Sequence, residues 1–250
     1  MNTIAERLVP DEPPSHEEMI ALQEEIRELA RFEDDLGRLI PPDPESTVVG
    51  VDVGFEENGA IAAAVAVRDG AVIDRSTVRR LVRYPYVPGF LAFREAGVVI
   101  RALDQLEVTP DVMLCDGNGR LHPREAGLAT HLGVAIDCPT VGVAKRLLCG
   151  TLLVPADDPM AEGTRVPIVA GEDMDVAPGT TVGYAVQTRQ WEDREHAINP
   201  VYVSAGHRVA GETAADIVLA TCAGYKLPEP IRLADRLTKE RASAADTATR

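Results

Sequence analysis

Two short apolar runs each end in a carboxylate: "VVGVD", closing at Asp52, and "VMLCD", closing at Asp116. A strand that is apolar at nearly every position is covered on both faces, so both runs belong inside a sheet flanked by helices. Between them "AIAAAVAVRDG" and "AVIDRSTVRR" predict two further strands joined at Asp69-Gly70, a residue pair suited to a tight hairpin. Helical spacing follows in "FLAFREAGVVIRALDQL", residues 90–106, and again in "PREAGLATHLGVAI", residues 123–136, with Pro123 near its start. "PTVGVA" then reads as another strand. A meander followed by a β-α-β-α-β run predicts an α/β fold built on a mixed sheet with helices on both faces.

Outside that run the pattern is simpler. Pro13 and Pro14 precede a segment in which Ser15 and Glu18 have capping-box spacing and Met19, Leu22, Ile26 and Leu29 recur at helical intervals. It predicts an N-terminal amphipathic helix ending near Pro41 and Pro42. Residues 151–205 contain three strands, "TRVPIVAG", "GTTVGYAVQT" and "NPVYVSAG", and "GETAADIVLATCAG" and "PIRLADRLTKE" close the chain as helices. The division expected is an N-terminal extension over 1–44, one main domain over 45–238 and a small, polar, disordered tail over 239–250.

The 250 residues are 45% hydrophobic and only 4% aromatic, so aliphatic side chains fill the core. No apolar run approaches the roughly 20 residues that cross a bilayer, and the N-terminus carries no apolar signal region; a cytoplasmic location without membrane contact is expected. Cys115, Cys138, Cys149 and Cys222 are scattered singly and read as reduced, mostly buried small hydrophobes. Forty Asp and Glu against 25 Lys and Arg leave a net charge of −15, which by itself argues against a polyanionic partner. An acidic chain with only three lysines also resembles proteins of salt-loving microbes. At about 1 M salt the Debye length is roughly 3 Å, and such a charge is screened from its partner.

Asp52 and Asp116 would emerge at the carboxyl ends of buried strands, where open α/β sheets bind ligands. Either one alone could simply cap a loop. On neighbouring strands the pair could hold a divalent cation, with Glu95 of the intervening helix as a third oxygen ligand. After Asp116, "GNGRLHPR" supplies Gly117 and Gly119, which permit close approach of a substrate backbone, and His122 and Arg124, which could touch the same phosphate. A lone histidine is more often a hydrogen-bonded structural residue. Lys145 is one of the three lysines, a compact charge suited to phosphate or an attacking water, with chance placement as the alternative. His207 likewise follows a strand. Tyr86 lies between Pro85 and Pro88, with Gly89 next, a spelling that stiffens the backbone around one ring held at a surface.

These motifs, "GVDVGF", "YPYVPGFLAFRE", "DGNGRLHPREAGLATHLG", "PTVGVAKRLLCG", "NPVYVSAGHR" and "GYKLPEPIRLADRL", resemble in order those of the endonuclease V family over about residues 48–237. The resemblance implies a ribonuclease H-like fold, with Asp52, Glu95 and Asp116 as the acidic metal site and Lys145 and His207 in supporting positions. It implies Tyr86 as a ring wedged into the duplex, within the substrate-binding loop of Pro85, Pro88 and Gly89. The activity implied is hydrolysis of a phosphodiester on the 3′ side of a deaminated base, chiefly hypoxanthine, using Mg2+ or in its place Mn2+. The partner implied is damaged DNA, with inosine-containing RNA as a further substrate and a monomer as the favoured state. Two other readings are weighed. "GVDVGF" before a hairpin also resembles the phosphate loop of actin-like and sugar-kinase ATPases, which need a second such domain. A non-catalytic reader of modified nucleic acid has no use for three acids beside a phosphate.

Overall fold

The computed structural model describes residues 7–10, 12, 14–37, 41, 43–56, 59–82, 85, 87–154, 160–190 and 199–248, with side chains of the last helix described to residue 243. Strands β1 (Val48–Glu56), β2 (Gly59–Arg68) and β3 (Ala71–Arg80) form the expected meander. Asp69 and Gly70 both take positive φ, 48° and 72°, as the tight turn between β2 and β3 requires. Next come α2 (Leu91–Leu103), β4 (Val112–Asp116), α3 (Leu128–Ile136) and β5 (Thr140–Ala144). The chain ends with β6 (Thr151–Leu152), β7 (Arg165–Val169), β8 (Thr181–Val186), β9 (Val201–His207), α4 (Gly211–Ala220) and α5 (Glu229–Ala248).

All nine strands make one sheet in the order β3-β2-β1-β4-β5-β9-β8-β7-β6. β1, β4 and β5 are mutually parallel, and every other pairing is antiparallel. Alternation along β1 assigns the faces. Val49 and Val51 bury against α2 and α3 together with Met113 and Cys115, whereas Val48, Val112 and Leu114 bury against α4 and α5 with Ile217 and Ile231. Gly50 faces α5 so closely that an added Cβ would stand 2.1 Å from the Pro230 carbonyl carbon. Helix α5 therefore lies directly on β1.

Helix α1 (His16–Leu29) has the capping box read from Ser15 and Glu18, and its Ile26 joins the α2–α3 core. It stops at Leu29 instead of near Pro41, because the following chain is captured by the end of β9: the Arg208 N–H donates to the Arg31 carbonyl and the Asp35 N–H to the Arg208 carbonyl. The helix expected from Pro123 starts only at Leu128. Glu125 takes φ 52° with its carboxylate buried between Arg27 (2.8 Å) and Arg120 (2.6 Å), and that pair of charge-assisted bonds overrides helical propensity. At the C-terminus the helix runs on to Ala248, where a disordered tail from 239 was expected. The alanines of that stretch are strong helix formers, and no glycine or proline interrupts them.

Candidate active site

Parallel pairing of β1 with β4, and of β4 with β5, brings their carboxyl ends to one edge. Asp52 lies at the middle of β1, which runs on to Glu56 instead of closing at this acid, but it is the first residue past the last β1–β4 pair, Val51 with Cys115; Asp116 ends β4, and Lys145 directly follows β5. Helix α2, crossing the sheet from β3 back to β4, presents Glu95 to the same place. These four line one cavity of about 420 Å³. α5 closes its other side with Asp235, Thr238 and Lys239, which the spacing i, i+3, i+4 puts on one face of the helix.

The polar contacts are short. Lys145 Nζ donates to Asp116 Oδ2 at 2.6 Å, Thr238 Oγ1 lies 2.7 Å from Asp52 Oδ2, and Lys239 Nζ donates to Asp235 Oδ2 at 2.6 Å. Glu95 is only 6% exposed. Burial, then the charges of Asp52 and Asp116, pushes its carboxyl up to about 8 against the nearby Arg94. Burial also raises Asp52 to about 6, with Asp116 and Asp235 adding to it and the Thr238 hydrogen bond and Lys145 opposing. Burial would lower the Lys145 pKa, but the hydrogen bond to Asp116 and the acids around it hold it raised.

Hard oxygen donors that repel one another's charge suit a divalent cation. Among the described residues no three His, Cys, Asp or Glu side chains already enclose a common metal position. The Lys145 ammonium holds one Asp116 oxygen, and an ion using that oxygen competes with it.

Other expected site residues lie elsewhere. His207 is at the opposite edge of the sheet, because β9 runs antiparallel to β5 and pairs His207 with Thr140, where β5 begins. Its Nδ1 accepts from the Arg31 N–H at 3.3 Å, its Nε2 is 3.3 Å from Asp137 Oδ1, and burial lowers its pKa. A strand's C-terminal end marks this cavity only when that strand is parallel to β1, a direction that "YVSAGHR" does not reveal. His122 is 4% exposed, held to about 4 by burial, and uses both ring nitrogens internally: Nε2 on the Gly89 carbonyl (2.9 Å) and Nδ1 on the Arg124 N–H (3.2 Å). Arg124 donates to Gln23 Oε1 at 3.0 Å and packs over the Phe90 ring. Both residues brace the loop ahead of α2 and stand outside the acidic cavity.

Gly119 serves the chain's own packing: a Cβ there would be 2.2 Å from the Ala205 carbonyl oxygen. Gly117 bridges to Val143 and packs on Leu128. In the loop ahead of α2, Pro85 and Pro88 are exposed and Gly89 takes φ 81°; Tyr86 lies outside the described residues. Asp235, Thr238 and Lys239 were not anticipated, although their shared helical face was readable in "ADRLTKE".

This sheet order, with acids where the pairing of two adjacent parallel strands ends, defines a ribonuclease H-like, metal-dependent nuclease. The Endonuclease V family model matches residues 32–236, so the chain belongs to the endonuclease V family. Endonuclease V of Haloarcula marismortui is 45% identical over 96% of this chain and 97% of that protein, and that of Halobacterium salinarum is 56% identical over 76% and 72%. Among solved structures, endonuclease V from Streptomyces avermitilis matches with a TM-score of 0.80 at 35% identity, covering 95% of this chain and 98% of that one. Ciona intestinalis endonuclease V, in complex with a 24mer DNA containing an inosine followed by a ribo-adenosine, matches with a TM-score of 0.73 at 27% identity, covering 92% and 98%.

Proposed function

We propose that the protein is a repair endonuclease that recognises deaminated bases in DNA, chiefly hypoxanthine, and hydrolyses a phosphodiester on the 3′ side of the lesion. The observation that carries this reading is the convergence of Asp52, Glu95, Asp116 and Lys145 on one cavity in a chain of this family. Asp52 and Asp116 would hold a magnesium ion, or manganese in its place, and Glu95 would either join them or orient the attacking water. When bound, the ion supplies activation of that water and charge stabilisation at phosphorus. Thr238 fixes one oxygen of Asp52. Lys145, paired with Asp116 at 2.6 Å, would place a positive charge beside the phosphate.

Lesion recognition belongs to the loop of Pro85, Pro88 and Gly89, with Tyr86 as the ring that fills the gap left by an extruded base; prying that base out costs a few kcal/mol. The protein acts as a monomer in the cytoplasm, and inosine-containing RNA is a second substrate. The test is a labelled duplex with a single inosine beside an undamaged duplex, incubated with magnesium and mapped at nucleotide resolution. A nick to the 3′ side of inosine alone supports the reading. Equal nicking of both duplexes, or none, overturns it.

A further inference from the structure

The structure ties the loop ahead of α2 to a helix outside the region that the family model matches. That region begins at residue 32, whereas α1 spans His16–Leu29. On this helix Gln23 is fully buried, and a buried amide is costly unless its donors and its acceptor find partners. Its Nε2 donates to the Gly89 carbonyl at 2.7 Å, and its Oε1 accepts from Arg124 at 3.0 Å. The same carbonyl accepts from His122 Nε2 at 2.9 Å, so both of its lone pairs are engaged. The adjacent Phe90 ring packs against His16, with centroids 4.9 Å apart, and under the Arg124 guanidinium at 5.4 Å. Pro88, one residue before Gly89, is exposed. A solvent-facing corner is thus fixed from beneath by two buried donors on one peptide oxygen.

We propose that Gln23 is a positioning residue for reading damaged duplex, holding the Gly89 carbonyl so that the Pro88–Gly89 corner meets DNA already ordered. The proposal rests on the endonuclease reading given above. Pre-ordering is worth most where a base has to be separated from its stack and its paired strand, and least on a single strand. Loss of the Gln23 contact therefore acts on the ratio of duplex to single-strand cleavage, a quantity that a merely structural helix contact leaves alone.

The experiment uses the full chain with magnesium, one inosine-containing oligonucleotide offered single-stranded and as duplex, and the variants Gln23→Met and Gln23→Glu. Met keeps the volume without polar atoms; Glu keeps an acceptor for Arg124 and, ionised against that guanidinium, offers Gly89 no donor. Thermal unfolding is followed in parallel, and if one variant fails to fold the other carries the test. The expected result is a fall of about tenfold in the duplex to single-strand rate ratio, the scale of one lost hydrogen bond. An unchanged ratio, whether both rates hold or both fall together, overturns the proposal. A wild-type chain that nicks inosine on neither substrate would instead overturn the endonuclease reading.

Discussion

Glu95 has the most displaced acid of the cleft. Its folded pKa of about 8 stands above the ordinary 4.5, so between these values the folded state holds a proton that the unfolded chain has released. Stability contributed by that group is complete below about pH 4.5 and is lost as pH rises towards 8, at about 1.4 kcal/mol per unit at most. Glu95→Gln should therefore stabilise the metal-free protein at pH 8 by on the order of a few kcal/mol and hardly at pH 5. Denaturant unfolding at the two pH values in chelator checks this; an equal effect at both would refute the burial argument. The positions of Asp52, Asp116 and Lys145 were readable because each ends, or directly follows, a run of apolar residues, and that of Glu95 because it lies within a segment of clear helical periodicity. His207 was misplaced because strand direction is a property of the sheet. The contacts of His122 and Gly119 within the chain were not readable because their partners, Gly89 and Ala205, are distant in sequence.

At the scale of elements the cleft depends on α5 lying on β1. Gly50 permits that contact, since any side chain there would meet the Pro230 backbone within 2.5 Å. Gly50→Ala should cost at least about 3 kcal/mol, as severe overpacking against backbone does. At roughly 2–4 °C per kcal/mol for a chain of this size, thermal unfolding should fall by several degrees. Nicking should fall with it, because Asp235 and Thr238 ride on the displaced helix. An unchanged unfolding temperature would mean that α5 does not bear on β1 in solution. The meander, its turn, the α1 cap and the β-α-β-α-β run were readable from pattern and turn chemistry. The end of α1 and the start of α3 were not, because contacts with Arg208 and a buried Glu125 set them. β6, at two residues, is too short to leave a periodic signal.

For the whole molecule the net charge of −15 has to be reconciled with a polyanionic substrate. Endonuclease V relatives from Haloarcula, Halobacterium and Natronomonas agree with adaptation to concentrated salt. Unscreened surface repulsion should then lower the unfolding temperature as salt is removed. Inosine nicking should persist near 1 M potassium chloride, where the screening length is about 3 Å and stacking, base-pocket hydrogen bonds and metal coordination remain. A protein equally stable at low and high salt, and inactive at high salt, would return the charge to being an argument against a DNA substrate. Metal-dependent nicking by this chain should depend on the acids gathered where the pairing of β1 with β4 ends. The most direct measurement is the nicking rate on an inosine duplex as magnesium is titrated from chelator to saturation, for wild type and Asp116→Ala. Expected are no nick in chelator, a saturable rise for wild type, and a rate lower by at least about 10²-fold for the variant wherever the wild type nicks. Nicking in chelator, or an Asp116→Ala curve that overlies the wild type, would contradict it.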